Sequence, residues 1–138
     1  GYGLVQGSWV RLPNYHTSGM VSSGALCSTA SDLVRWSHLL GTGRVMLPES
    51  YATMTTVARL SNDKLVPNSY ALGVSVKKIA GQPAVSHGGS VIGFLSFLIY
   101  LPDQEIGVAV ISNAFPFPSG GNSEFIAIAI AHAALNNL

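Results

Sequence analysis

At 138 residues the chain is long enough for one domain with a real core and short for two. Its net charge of +1 offers no basic footprint for nucleic acid or an anionic membrane, and its single cysteine, Cys27, excludes an internal disulfide. Only 9% of residues are charged and 48% are apolar, whereas a soluble domain is usually about a quarter charged.

That apolar excess needs a cause. No run reaches the ~18 uninterrupted apolar residues of a membrane-spanning helix. The longest, residues 91–101 and 125–135, are broken by Gly93, Ser96 and His132, so no membrane span is expected. The better account is a chain that is part of a larger domain, with some of its apolar surface packed against chain not present here.

Residues 1–24 are rich in Gly, Ser, Pro and aromatics without a sustained period. They read as irregular lead-in, with a short extended piece at 8–12. A loop of that length is unusual in a compact domain. The first helix is predicted over residues 29–40. Thr29 can cap the amide three residues on and Asp32 can answer it, a capping-box spacing that also sets a carboxylate at the positive end of the helix dipole. Leu33, Trp36 and Leu40 share one face, widened by Val34 and Leu39, and Gly41 supplies the stop. Residues 47–54 predict a second, short helix with Pro48 in its first turn, but Leu47 is a poor cap.

Residues 55–68 are polar and end near Pro67, which predicts a loop. Residues 70–78 alternate, with Tyr70, Leu72, Val74 and Val76 pointing one way, as in a half-covered strand. Residues 80–83 turn the chain, and 84–87 form a short strand. A polar, glycine-rich corner follows, Val85-Ser86-His87-Gly88-Gly89-Ser90-Val91-Ile92-Gly93-Phe94. Residues 94–100 are apolar apart from Ser96, as expected of a strand covered on both faces. Residues 105–112 are its hairpin partner, and 113–121 a loop with Pro and Gly. Asn122 or Ser123 then caps a final helix to about Asn136, with Phe125, Ile128, His132 and Leu135 along one stripe.

His87-Gly88-Gly89-Ser90-Val91-Ile92-Gly93-Phe94, then Ser96, Tyr100-Leu101-Pro102-Asp103, Ile106-Gly107-Val108 and Ser112-Asn113, resemble the C-terminal part of the serine β-lactamase-like family. This group contains class C β-lactamases, penicillin-binding DD-peptidases and related esterases. The segment from Gly24 to Leu33 and the string Tyr70-Ala71-Leu72-Gly73 match in the right order, so the resemblance covers residues 19–138. It implies an α+β fold: an antiparallel sheet with flanking helices and a long C-terminal helix, the whole chain being the C-terminal part of a single β-lactamase-like domain.

The resemblance also implies covalent acyl transfer without a cofactor. The family places its serine in Ser-x-x-Lys at a helix start, follows it with a Tyr- or Ser-based motif, and closes with Lys or His, then Thr, Ser or Gly, then Gly. By that match His87-Gly88-Gly89 is the third motif and one wall of a cleft. His87 would orient or polarise the site, Gly88 and Gly89 would let substrate lie against the strand edge, and the backbone N–H of Ser90 would be one of two oxyanion-hole donors. Histidine and glycine in place of Lys-Thr-Gly lean toward an esterase or peptidase. The resemblance suggests a bacterial periplasm or cell envelope.

No nucleophile is identified in the chain. Ser75 and Lys78 have the Ser-x-x-Lys spacing but fall on a predicted strand, where residues three apart face opposite sides. Ser61-Asn62-Asp63-Lys64 lies in a polar loop without the helix that would hold serine and lysine one turn apart. The remaining candidates read as structural. Asp32 and Glu49 suit helix starts, Asp103 and Glu105 a turn, and the four histidines lack metal-ligand spacing, so no metal is expected. His16 suits a loop, His38 a partly exposed helix face and His132 a packed one. Trp9, Tyr15 and Trp36 suit packing better than a cleft.

The expected function is thus a serine hydrolase of β-lactam, ester or D-amino-acid peptide bonds, to which this chain contributes a wall but no nucleophile, so the chain alone should be inactive. Its partners would be a small acyl substrate, the missing N-terminal part or a second copy, and not nucleic acid. The alternative is a non-catalytic binding or self-associating module derived from the same fold, using exposed apolar surface.

Overall fold

A computed structural model describes residues 1–14, 16–115 and 122–138. Tyr15 and most of the 113–121 loop lie outside the described residues. The chain opens with an antiparallel hairpin, β1 (Tyr2–Val5) and β2 (Ser8–Arg11), and continues through a 3-10 turn at Thr17–Met20 to α1 (Ala30–Gly41) and α2 (Pro48–Met54). A second 3-10 turn, Pro67–Ser69, precedes four strands: β3 (Ser75–Ile79), β4 (Gln82–Val91), β5 (Phe94–Leu101) and β6 (Ile106–Ser112). Helix α3 (Ser123–Leu135) closes the chain. The four strands form an antiparallel meander in the order β3-β4-β5-β6. The fold is the expected α+β arrangement of antiparallel sheet and flanking helices. No helix among the described residues is long and apolar enough to cross a membrane.

The lead-in is more ordered than its sequence implies. Gln6 and Gly7 both have positive φ, 47° and 80°, the backbone of a tight two-residue hairpin turn. Gln-Gly lacks the Asn-Gly or Asp-Gly composition that usually marks such a turn. The hairpin is tied to the end of the sheet, with the Tyr2 N–H donating to the Asn113 carbonyl at 2.8 Å and the Phe115 N–H to the Tyr2 carbonyl at 3.0 Å.

Helix α1 starts as expected. The Asp32 N–H donates to Thr29 Oγ1 at 3.1 Å, and the Thr29 hydroxyl donates to Asp32 Oδ2 at 2.9 Å. The stop differs. Gly41 is inside the helix, and Gly43, at φ +74°, makes the left-handed exit. Gly41 serves a different purpose, since a Cβ there would run into the Tyr100 ring of β5. Gly107 of β6 is equally close to α1, with Val34 Cγ1 2.9 Å and Ser37 Oγ 3.1 Å from where its Cβ would be. Two glycines, one on each partner, let α1 lie against the sheet. Ser37 is therefore the buried residue of this helix, while Trp36, expected on the inner face, is 50% exposed.

The other face of the sheet carries the main core. Ile79, Ala84, Phe97, Ile99, Leu101 and Val108 pack against Ala127 and Ala131 of α3, flanked by Ile128 and Leu135. Asn122 caps α3 by accepting from the Phe125 N–H at 3.1 Å. Of the predicted inner stripe of α3, Ile128 and Leu135 do pack against the core, but Phe125 and His132 point outward, and Ala127 and Ala131 face the sheet instead. A helix that is apolar nearly all round gives no periodic signal to orient it, and alanine permits a closer approach than phenylalanine.

Two further boundaries move. Residues 70–74 are a turn rather than the start of a strand: the Ala71 N–H donates to the Val74 carbonyl at 2.8 Å, and Gly73 sits at φ +80°. The polar corner at 85–94 is mostly strand, since β4 runs to Val91 and only Ile92-Gly93 turn.

Candidate active site

The residues expected to form the third motif, His87-Gly88-Gly89, lie on β4, and the register explains what their backbone offers. Strands β3 and β4 are joined through Ala80-Gly81, both at positive φ, and β3 ends at the pair Ser75↔Ser86. Beyond that pair no strand among the described residues neighbours β4 on this side. On its other side it continues with β5 to Val91↔Phe94. Each two-residue turn closes on a hydrogen-bonded pair, Ile79 with Gln82 and Val91 with Phe94. Counting by twos from the first, residues 82, 84 and 86 bond toward β3. Counting from the second, residues 91, 89, 87 and 85 bond toward β5. The two counts agree, and they direct the backbone N–H and C=O of Gly88 and Ser90 into the open edge. Pro83 obeys the same parity: its missing N–H falls on the β5 side, before pairing begins at Val85↔Tyr100.

His87 stands at the head of this edge. It shares a face with its partner Leu98 and, two residues on, with Val85 and Tyr100, the face against which α1 packs. The ring is exposed, and its Nε2 lies 3.0 Å from the Tyr70 hydroxyl. The two ring centroids are 6.0 Å apart with planes inclined at 56°. Tyr70 is a neighbour of His87 that sequence reasoning missed. It is 17 positions away from His87, beyond any local pattern, and its predicted role was a strand position.

The two glycines have a packing reason of their own. Gly88 faces Phe97, whose Cδ2 would be 3.2 Å from a Cβ, and a Cβ on Gly89 would meet Ser96 Oγ. A side chain at Gly88 would press on the Phe97 ring and one at Gly89 would require the Ser96 hydroxyl to turn away, so the neighbouring strand favours bare backbone at the open edge. One residue before His87, Ser86 is 2% exposed and its hydroxyl has no hydrogen-bond partner among the described residues.

Two depressions border the edge. One, of about 400 Å³, lies between Leu12, Met20 and Phe115 and the Ser90–Gly93 end of the strand pair. The other, of about 240 Å³, lies between the Gly88–Ser90 stretch and the start of α3. There Lys77 Nζ meets Glu124 Oε1 at 2.8 Å, tying β3 to α3. Burial pushes the phenols of Tyr51 and Tyr100 up, but these are on α2 and β5, away from the edge.

Ser75 and Lys78 are on strand β3, and Lys78 pairs with Pro83. Ser61 and Lys64 sit in a tight turn in which the Asp63 N–H donates to the Leu60 carbonyl at 2.9 Å. His16 caps a 3-10 turn by accepting from the Ser18 N–H at 3.4 Å, and His38 Nδ1 lies 3.8 Å from Glu105 Oε2. His132, expected to be packed, is exposed. Among the described residues no three metal-ligating side chains converge.

Comparison with known proteins agrees with this architecture. No curated protein sequence matches the chain significantly. Among solved structures, an octameric penicillin-binding protein homologue from Pyrococcus abyssi superposes with a TM-score of 0.78 at 25% identity. The match covers 99% of this chain and 30% of the homologue, so the chain spans under a third of that protein's length. The family model described as Beta-lactamase matches residues 2–133, and the chain therefore belongs to the β-lactamase family of serine hydrolases.

Proposed function

We propose that this chain is the C-terminal part of one β-lactamase-like domain and forms one wall of an acyl-hydrolase cleft. The substrate class is a β-lactam, an ester or a D-amino-acid peptide, opened through an acyl-enzyme. The observation that carries this reading is the overrun of β4 past the end of β3. It leaves His87 and the backbone of Gly88 and Ser90 on an open edge where an extended substrate can add itself as the next strand. The Ser90 N–H is then one oxyanion donor and the nucleophile's own N–H the other. Gly88 and Gly89 admit the substrate without side-chain interference, and His87 polarises or orients it. The nucleophile comes from outside these 138 residues: Ser75 and Lys78 fall on opposite faces of β3, and Ser61 and Lys64 lie in an exposed turn with no helix to hold them in a dry site.

Two experiments test this. The chain by itself, treated with a fluorophosphonate or a penicillin, should show no covalent adduct by mass spectrometry, and a stoichiometric adduct would contradict the assignment. In the enzyme that carries this chain, Ser90→Pro removes the edge N–H without removing a ladder hydrogen bond. It should lower kcat by about 10²–10³, as expected for loss of one oxyanion donor, while Ser90→Ala, which keeps the N–H, should not. Equal activity of the two variants would refute the role of that donor.

A second reading is a non-catalytic, self-associating module. The outward Phe125, Ile126 and Ile130 of α3 favour it, since they expose a row of large apolar side chains, and the Pyrococcus abyssi homologue is octameric. A concentration-dependent oligomer in sedimentation, abolished by Phe125→Lys with Ile130→Lys, would support this reading.

A further inference from the structure

We infer that Tyr70 is a positioning residue for His87: its hydroxyl donates to Nε2, holds the ring proton on Nδ1, and makes His87 a fixed hydrogen-bond donor at the open edge rather than a base. The role in substrate binding rests on reading His87 as a cleft wall; the hydrogen bond and its consequence for the ring do not.

The geometry comes first. The Tyr70 hydroxyl is 3.0 Å from Nε2, and this is the only hydrogen bond of the His87 ring among the described residues. The ring planes are inclined at 56° with centroids 6.0 Å apart, so the rings meet through the hydroxyl and not by stacking. Tyr70 is itself held on both sides. Its carbonyl accepts from the Ala58 N–H at 3.2 Å, and the next residue, Ala71, donates to the Val74 carbonyl at 2.8 Å. Tyr70 also bridges to Ser75, the last residue of β3 to pair with β4. The turn that replaced the predicted strand at 70–74 therefore delivers the phenol to the point where the edge opens.

The direction of the bond follows from acid–base chemistry. A phenol, with an ordinary pKa near 10, is a better donor than a neutral imidazole N–H, and the bare imidazole nitrogen is a better acceptor than a phenol oxygen. The stable arrangement is O–H to Nε2. Which nitrogen of a histidine keeps its proton is set by the bond the other one makes, so the proton stays on Nδ1. The single lone pair of the neutral ring is then occupied. His87 can give a hydrogen bond to a carbonyl or carboxylate oxygen, but it can accept a proton only by breaking its bond with Tyr70.

The test is the nitrogen-15 spectrum of the His87 ring in the protein that carries this chain, recorded at mildly alkaline pH, beside Tyr70→Phe, which keeps the aromatic ring and removes only the hydroxyl. The expected result is an Nδ1–H ring in the wild type and a shift toward Nε2–H, the tautomer a free histidine prefers, in the variant, with the β4–β5 amide signals unmoved. A wild-type ring already in the Nε2–H form overturns the inference, and so does a variant that keeps Nδ1–H. Should the variant unfold, the wild type decides alone. None of these readouts involves turnover, so a failure here is distinguishable from a failure of the hydrolase reading.

Discussion

Replacing Gly41 by alanine tests the packing that covers the His87 side of the sheet. Two effects oppose each other. Alanine in place of glycine favours a helix by up to about 1 kcal/mol, and by less at position 41, the last helical residue. Against this, the new methyl would lie 2.7 Å from Cζ and 2.9 Å from Cδ1 of Tyr100, a ring only 3% exposed and with no room to swing away. Overpacking of this kind costs roughly 1–3 kcal/mol, so the net expectation is a loss of about 1–2 kcal/mol. Urea denaturation followed by circular dichroism should show a lower midpoint with an unchanged slope. The decisive comparison is a cycle with Tyr100→Leu, which removes the ring that the methyl strikes. In that background Gly41→Ala should be neutral or mildly stabilising, giving a coupling of about 1 kcal/mol or more. Gly41→Ala that stabilises the native chain, or that costs the same in both backgrounds, would refute the argument that glycine is there for closeness of approach.

Ser86→Ala should be neutral or stabilise the fold by about 1 kcal/mol, because it deletes a buried hydroxyl that has no partner among the described residues; a clear loss in the same urea assay would mean that the hydroxyl is bonded. Burial first, and then Tyr100 beside Tyr51 and Glu105 beside Tyr100, raise both phenols above their ordinary value of 10.0. Ionisation is thus disfavoured in the folded chain only, so this stability is complete below pH 10.0 and is lost as pH rises through the raised values. Phenolate absorbance should show two of the five tyrosines ionising late and together with unfolding, and all of them ionising together at the ordinary value would contradict this.

What the sequence by itself determined is local. Thr29 and Asp32 mark the start of α1, Asn122 that of α3 and Pro48 that of α2, because a cap is satisfied within one turn of chain. The Phe94–Leu101 and Ile106–Ser112 hairpin was legible because two largely apolar runs around a Pro-Asp turn have few other uses. The family resemblance was legible as a string of motifs in the right order. Only the tertiary structure decided which faces meet. Gly41 reads as a helix stop until Tyr100 is seen above it, and the apolar circumference of α3 hides that alanines, not Phe125, face the sheet. His87-Gly88-Gly89-Ser90 reads as a corner, yet it lies on a strand whose neighbour has ended. That difference turns a flexible loop into a fixed backbone edge. The pairing of Tyr70 with His87 has no local signature, because a hydrogen bond between residues 17 apart depends on the turn at 70–74 and on the register of β3 with β4. Caps and turns are set by the free energy of a few neighbouring residues, whereas faces, edges and partners are set by which of several near-equal packings the whole chain satisfies at once.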